Sequence, residues 1–149
     1  MIIESQDINE ARKIIQNTKK NSPEEEIIVR AQDEEFNRKI LEMKNVDVLL
    51  SPEIHNRKDS LKQRDSGLNE VLCNIAAKNK IKIGIDIEEI IKRQGKEKAI
   101  ILARIMQNIK LCRREKCEIV LMGKYDKRAG FSFLLTMGAS TEQAKKAVE

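Results

Sequence analysis

Aromatic side chains are rare in this chain, which has one tyrosine, three phenylalanines and no tryptophan among its 149 residues. Proteins that hold single-stranded nucleic acid by stacking its bases need exposed aromatic rings as platforms. The composition therefore disfavours that mode of binding. Any contact with RNA would have to come from Lys and Arg side chains that reach phosphate and sugar groups.

Histidine is rarer still, because His55 is the one imidazole in the sequence. A metal-dependent phosphoesterase holds its ions with several imidazoles and carboxylates, and a nucleophilic triad needs an imidazole beside a Ser or Cys. His55 instead lies in a basic segment, next to Arg57 and Lys58, that would repel a cation. The sequence predicts no metal site and no catalytic residue in this chain.

Asp86 is the residue that a catalytic interpretation would choose. It stands at the carboxyl end of a predicted strand, where barrel enzymes keep their reactive groups. The spacing between Asp86 and Glu89 is also that of a capping box, in which a polar side chain closes the first turn of a helix. Of these two alternatives, the spacing favours the helix cap.

Paired cysteines and long apolar runs are also missing. Cys73, Cys112 and Cys117 are odd in number and show no Cys-x-x-Cys spacing, so we expect small buried apolar residues in a reducing compartment. The sequence contains no run of 18 apolar residues, and its N-terminus lacks the charged-then-apolar pattern of a signal peptide. These features predict a cytoplasmic protein without a membrane segment.

Charge, in contrast, is abundant: 36% of the residues are charged, the formal net charge is +5 and the sequence pI is about 9.1. A basic balance attracts polyanions such as RNA, although a basic domain that ignores RNA would have the same composition. The length allows one domain with a substantial core. We therefore expect a single domain over residues 1–149.

Strand and helix patterns alternate along the sequence. Residues 81–87 carry isoleucine at every odd position, which is typical of a strand. The segment before it has apolar residues at helical spacing from Leu68 to Ala76, and Asp65 or Ser66 is expected to cap that helix. Repeated units of this kind predict an α/β fold with a parallel sheet.

The connection over residues 51–66 is long, polar and without periodicity, and such loops are often functional. Four of its side chains are basic: Arg57, Lys58, Lys62 and Arg64. Arg can bind two phosphate oxygens at once, and Lys supplies a point charge. The loop is therefore the best candidate for RNA binding, with a solvated charge run as the alternative.

Four short motifs follow one another within residues 30–145: Val46-Asp47-Val48-Leu49-Leu50, Asp65-x-Gly67-x-Asn69, Ala76-Ala77-x-Asn79, and the segment from Gly138 to Ala144. Their order and spacing resemble protein component 3 of archaeal ribonuclease P, the relative of the eukaryotic thirty-kilodalton ribonuclease P subunit. The resemblance implies a TIM-barrel-like fold of parallel (β/α) repeats. About five strands are expected here, so the barrel is either incomplete or completed by strands from elsewhere.

The resemblance also implies a function. The family supports the catalytic RNA of ribonuclease P, an endoribonuclease that removes the 5′ leader from precursor tRNA, so the chain itself is expected to be non-catalytic. No cofactor is expected on the chain, and Mg²⁺ is expected at the RNA active site. The implied partners are ribonuclease P RNA, other ribonuclease P proteins and a small ferredoxin-like subunit, in a dimer of heterodimers. The residues expected to bind RNA are Arg38, Arg57, Lys58, Lys62, Arg64, Lys80, Arg113 and Lys116.

The predicted helix over residues 96–115 is apolar over more than one face. A partner that covers its outer side would explain the width, and Ile101, Ile105 and Ile109 are then the expected interface; burial under neighbouring helices of the same chain is the alternative. Two other functions stay open at this point. One is a stand-alone barrel phosphoesterase or hydrolase related to histidinol phosphatases, and the other is a purely structural assembly module.

Overall fold

The computed structural model describes residues 1–149 and contains one five-stranded parallel sheet. Strands and helices alternate, as the sequence patterns predict. The elements are, in chain order, β1 (Ile2–Ile3), α1 (Ile8–Asn21), β2 (Ile28–Arg30), α2 (Glu34–Leu41), β3 (Val48–Leu50), α3 (Glu70–Lys78), β4 (Lys82–Asp86), α4 (Ile87–Ile91), α5 (Gly95–Glu115), β5 (Ile119–Met122), α6 (Lys127–Thr136) and α7 (Thr141–Ala147).

The strands lie side by side in the same order as in the chain, β1-β2-β3-β4-β5, and every neighbouring pair is parallel. This winding is that of a (β/α) barrel, in which each strand lies next to its predecessor. It confirms the predicted α/β class with parallel (β/α) repeats. The sheet is open, since β1 and β5 each pair on one side only.

The two faces of the sheet differ in what covers them. Alternate strand residues, including Val29, Leu49 and Ile83, belong to the main core that the helices complete. The other face carries a small separate cluster of Ile28, Val48 and Leu50. The strand pleat explains this division, because successive side chains point to opposite faces.

Gly84 allows that small cluster to pack. A β-carbon at this position would lie 2.8 Å from Cγ1 of Val48 and 2.9 Å from Cδ1 of Leu50. The side chains of Val48 and Leu50 therefore occupy space that a β-carbon at position 84 would need. Within this cluster Val48 and Leu50 are almost fully buried.

Two predicted caps behave differently. The carboxylate of Asp86 accepts a hydrogen bond from the backbone N–H of Glu88 at 3.0 Å, which confirms its role as a helix cap. Glu89 does not complete a capping box, because its carboxylate binds Lys92 and Arg93 instead. The cap predicted at Asp65 or Ser66 was wrong: α3 begins at Glu70, and Asn69 caps it by accepting from the N–H of Leu72.

Helix α5 buries the three side chains that the sequence assigned to a partner. Ile101 is 4% exposed, and Ile105 and Ile109 are fully buried. The predicted outward interface at these residues was therefore wrong, since they face the core of their own chain. The stripe is broad because the chain covers α5 from two sides: the 51–66 loop bonds to one flank and Gln143 to the other.

All three cysteines are buried and free, as predicted from their number and spacing. The pKa of the Cys112 thiol is raised by its contacts with the Cys117 and Cys73 thiols and by burial, which keeps it protonated. Of the seven helices, none combines the length and apolar character that a membrane crossing requires.

Candidate nucleic-acid interface

The buried side chain of Arg104 organises the 51–66 loop. Its guanidinium donates to the backbone carbonyls of Arg57 at 2.9 Å, Glu53 at 3.1 Å and His55 at 3.4 Å. Its Nε donates to the Asp59 carboxylate at 3.2 Å. A buried guanidinium is stable only when its donors are matched, and here the loop backbone supplies most of the acceptors. The loop is therefore an ordered structure built on α5.

Two further α5 side chains hold the end of the loop. The amide of Asn108 donates to the carbonyl of Ser66 at 2.9 Å. Gln107 donates to the carbonyl of Arg64 at 3.1 Å. Gly67 follows with a φ of +82°, and a β-carbon there would lie 1.9 Å from the carbonyl oxygen of Pro52. These contacts fix both ends of the loop against each other and against α5.

His55 contributes to the shape of the loop. Its Nε2 lies 2.6 Å from the carbonyl oxygen of Asp65, so this nitrogen carries the proton, and its Nδ1 accepts from the N–H of Arg57 at 3.1 Å. Burial, opposed by the Asp65 carbonyl, lowers the pKa of His55. The neutral imidazole is thus used as a bridge across the loop. No group of three or more His, Cys, Asp or Glu side chains around it or elsewhere in the chain is arranged to hold a metal ion.

The basic residues of the loop divide into two groups. Arg57 is held by Asp65, with Nε 2.7 Å from the carboxylate, and this contact lowers the pKa of Asp65. Lys58, Lys62 and Arg64 are exposed and form no ion pair within the chain, because the loop carboxylates are bound by Arg57, His55 and Arg104. Three cations therefore project from an ordered base, with their charges available to an external anion.

Arg38 lies apart from this loop. On α2 its guanidinium pairs with Glu42 one turn away, at 3.2 Å. Its predicted contact with RNA stays a prediction, as does that of Arg57, whose charge is already matched by Asp65.

The remaining predicted cations lie at the other end of α5. Ile83 of β4 pairs with Ile119 of β5. Lys80 precedes Ile83 by three residues and Lys116 precedes Ile119 by three, so the two lysines occupy matching positions before neighbouring strands. Both adopt left-handed backbone conformations, with φ of 58° and 60°. Arg113 is exposed nearby and donates to the carbonyl of Gly138 at 2.7 Å. Arg113 and Lys116 thus lie at the C-terminal end of α5, whereas the loop is anchored further back on the helix, at Arg104 and Gln107.

Sequence reasoning missed Arg104 as the central residue of this site. The signal was present, because Arg104 and Asn108 interrupt the apolar stripe of α5 at core-facing positions, where an unpaired charge would be costly. A polar pair at such positions predicts a buried polar partner. The long polar loop is that partner.

A second missed residue is Glu53, three residues after the end of β3 at the carboxyl end of the sheet. Its side chain is 1% exposed, and its Oε1 has no hydrogen-bond partner. Burial raises the pKa of Glu53 to about 7, opposed by the nearby Arg93 and Arg30 and assisted by Asp86. The residue is therefore poised to hold a proton near neutral pH. No sequence pattern indicates this burial, since an isolated Glu in a polar loop is normally solvated.

Comparison with known proteins agrees with this architecture. No protein-family model matches the sequence. The chain is 30% identical over 113 residues to ribonuclease P protein component 3 of Methanococcus vannielii, covering 76% of this chain and 45% of that protein. It is also 30% identical over 129 residues to the component 3 protein of Methanosarcina acetivorans, covering 82% of this chain and 51% of that protein. The chain thus spans about half the length of these curated relatives.

The fold has a counterpart of known structure. A chain in the cryo-EM structure of archaeal ribonuclease P with mature tRNA superposes with a TM-score of 0.80 and 22% sequence identity. The superposition covers 98% of this chain and 62% of that chain. Together with the sequence matches, the shared fold confirms the resemblance of the motifs: over about half of those proteins' length, this chain is similar to archaeal ribonuclease P protein component 3.

Proposed function

We propose that this chain is an RNA-binding protein subunit of ribonuclease P, which supports the catalytic RNA in removing the 5′ leader from precursor tRNA. The observation that supports it most directly is the ordered loop with three unpaired cations, Lys58, Lys62 and Arg64, anchored on Arg104. Order matters because side chains that are already positioned lose less entropy when they bind. The named relatives supply the choice of RNA.

In this proposal the RNA carries the chemistry, with Mg²⁺ at its active site, and the chain binds no cofactor. The protein partners are other ribonuclease P subunits, including a small ferredoxin-like one, in a dimer of heterodimers. Since Ile101, Ile105 and Ile109 are buried, their side chains do not form that contact. On the outer side of α5 the large apolar side chain that is exposed is Met106, at 48%.

Neutralising the loop cations tests the RNA contact. The triple variant Lys58→Gln, Lys62→Gln, Arg64→Gln should bind ribonuclease P RNA more weakly. A plot of log affinity against log salt should become shallower by up to about 0.9 for each phosphate that the variant no longer binds. Fluorescence anisotropy at several salt concentrations measures both quantities.

The matched control removes the same charge from another place. Arg12, Lys13 and Lys20 are exposed on α1 and form no ion pair, so their conversion to Gln lowers the net charge equally. The salt slope of this control should stay close to that of the parent. If both triple variants lose the same affinity and slope, the overall charge and not the loop attracts the RNA.

The isolated chain should be catalytically silent. Its one imidazole bridges the loop backbone, and the Asp86 carboxylate is occupied as a helix cap. With Mg²⁺, Mn²⁺ or Zn²⁺ and no RNA subunit, it should cleave neither precursor tRNA nor small phosphoesters. RNA-free turnover that disappears in Asp86→Ala would instead establish the stand-alone hydrolase.

A further inference from the structure

Basic side chains continue from the loop along the outer face of α5. The bond from Gln107 to the Arg64 carbonyl places the loop end at the middle of the helix. Lys110 lies one turn further along the same face, and Arg114 lies one turn beyond it. At 1.5 Å per residue, the step from Gln107 to Arg114 is about 10 Å. We call Arg64, Lys110 and Arg114, with the terminal pair Lys80 and Lys116, the basic track.

The acids along this track are few. Arg114 lies 3.8 Å from Glu70 and 3.5 Å from Glu115, while Arg64 and Lys110 have no carboxylate partner. The track therefore offers a net positive row supported by a helix of 21 residues. A rigid row of this kind fits an anionic partner whose charges are also held in fixed positions.

The basic track contains no ring on which a base could stack. Phe36 is buried, while Tyr125, Phe131 and Phe133 pack against the main core. The Tyr125 hydroxyl donates to the carbonyl of Leu121 at 2.9 Å. A single strand bound here would leave its bases without the stacking contacts that are worth about 1–3 kcal/mol each in single-strand binders.

These observations point to one class of RNA. An A-form double helix keeps its bases inside, and presents phosphates and 2′-hydroxyls across a wide, shallow minor groove. We propose that the basic track binds the backbone of double-helical RNA, and that this chain contacts helical elements and not single strands. This inference rests on the proposed function and specifies the form of RNA that the chain recognises.

The test compares two probes of equal length and base composition. One is a hairpin RNA with about 16 base pairs, comparable to the span of known double-stranded RNA-binding domains, and the other is an unstructured single strand. The full chain should bind the hairpin at least about tenfold more tightly in the same salt. The double variant Arg64→Gln, Lys110→Gln should lose most of that preference, whereas Arg12→Gln, Lys13→Gln on α1 should keep it.

Equal or tighter binding of the single strand overturns the double-helix inference, and so does an unchanged preference in the double variant. The proposed function is judged by a separate measurement, the binding of ribonuclease P RNA itself. Binding of that RNA together with a preference for single strands leaves the proposed function standing and refutes only this inference. Binding of neither probe, and of no ribonuclease P RNA, refutes both.

Discussion

Replacing Arg104 with alanine is expected to release the 51–66 loop and to lower the free energy of unfolding by about 3 kcal/mol or more, the range seen when one partner of a buried charge contact is removed. The change leaves the carbonyls of Glu53, His55 and Arg57 without this donor, and the Asp59 carboxylate without its guanidinium. Urea unfolding measures the loss of stability. Amide hydrogen exchange over residues 53–66 measures the loss of order in the loop.

The same variant should weaken RNA binding although Arg104 itself is buried. The three unpaired loop cations keep their charge, but they no longer project from a fixed base, so binding has to order them first. Arg104→Lys is the informative companion, because one ammonium on a straight stem cannot reproduce the planar fork of Arg and should recover only part of the order.

Arg114→Ala is the matched control on the same helix. The Arg114 side chain is 57% exposed, and its ion pairs lie at the surface, where such pairs contribute little to stability. It should leave the loop amides as protected as in the parent. Unchanged exchange in Arg104→Ala would show that the loop does not depend on the guanidinium.

Strand periodicity made the fold predictable. The isoleucines of residues 81–87 alternate as the pleat requires, and the order of strand and helix patterns leads to a parallel sheet. The predicted cap of α3 was misplaced because Asp, Ser and Asn are all favoured at the N-cap of a helix. Only the contacts of the loop determine which of Asp65, Ser66 and Asn69 caps α3. The Asp65 carboxylate is bound by Arg57, and the Ser66 carbonyl is bound by Asn108.

The candidate site was only half predictable. Charge density located the loop cations, whereas tertiary contacts determine which of them remain unpaired: Arg57 meets Asp65, while Lys62 meets no carboxylate. The interface at Ile101, Ile105 and Ile109 failed for a related reason. A broad apolar stripe shows that a helix is covered on several sides. It does not show whether the covering segment is a loop of the same chain or a partner protein.

Glu53→Gln is expected to stabilise the protein above pH 7 and to have little effect near pH 5. Burial raises the pKa of Glu53 from 4.5 to about 7, so the folded chain holds the proton more tightly than the unfolded chain. The stabilisation from this group is complete below pH 4.5 and is lost as the pH rises through 7. At 1.36 kcal/mol per pKa unit, about 3 kcal/mol is lost by the time the pH reaches 7 to 8. Glutamine keeps the neutral form at every pH and avoids this loss.

Urea unfolding from pH 5 to pH 9 distinguishes Glu53 from other causes of pH dependence. The groups that face its carboxyl are Arg93, Asp86 and Arg30, and all three are unchanged in Glu53→Gln. The parent should lose stability between about pH 5 and pH 7 and then level off, and the variant should follow a flatter curve. Glu24→Gln, at an exposed position, should follow the parent curve. If the two Glu-to-Gln variants show the same dependence as the parent, Glu53 is ionised at neutral pH and its burial is compensated by the two arginines.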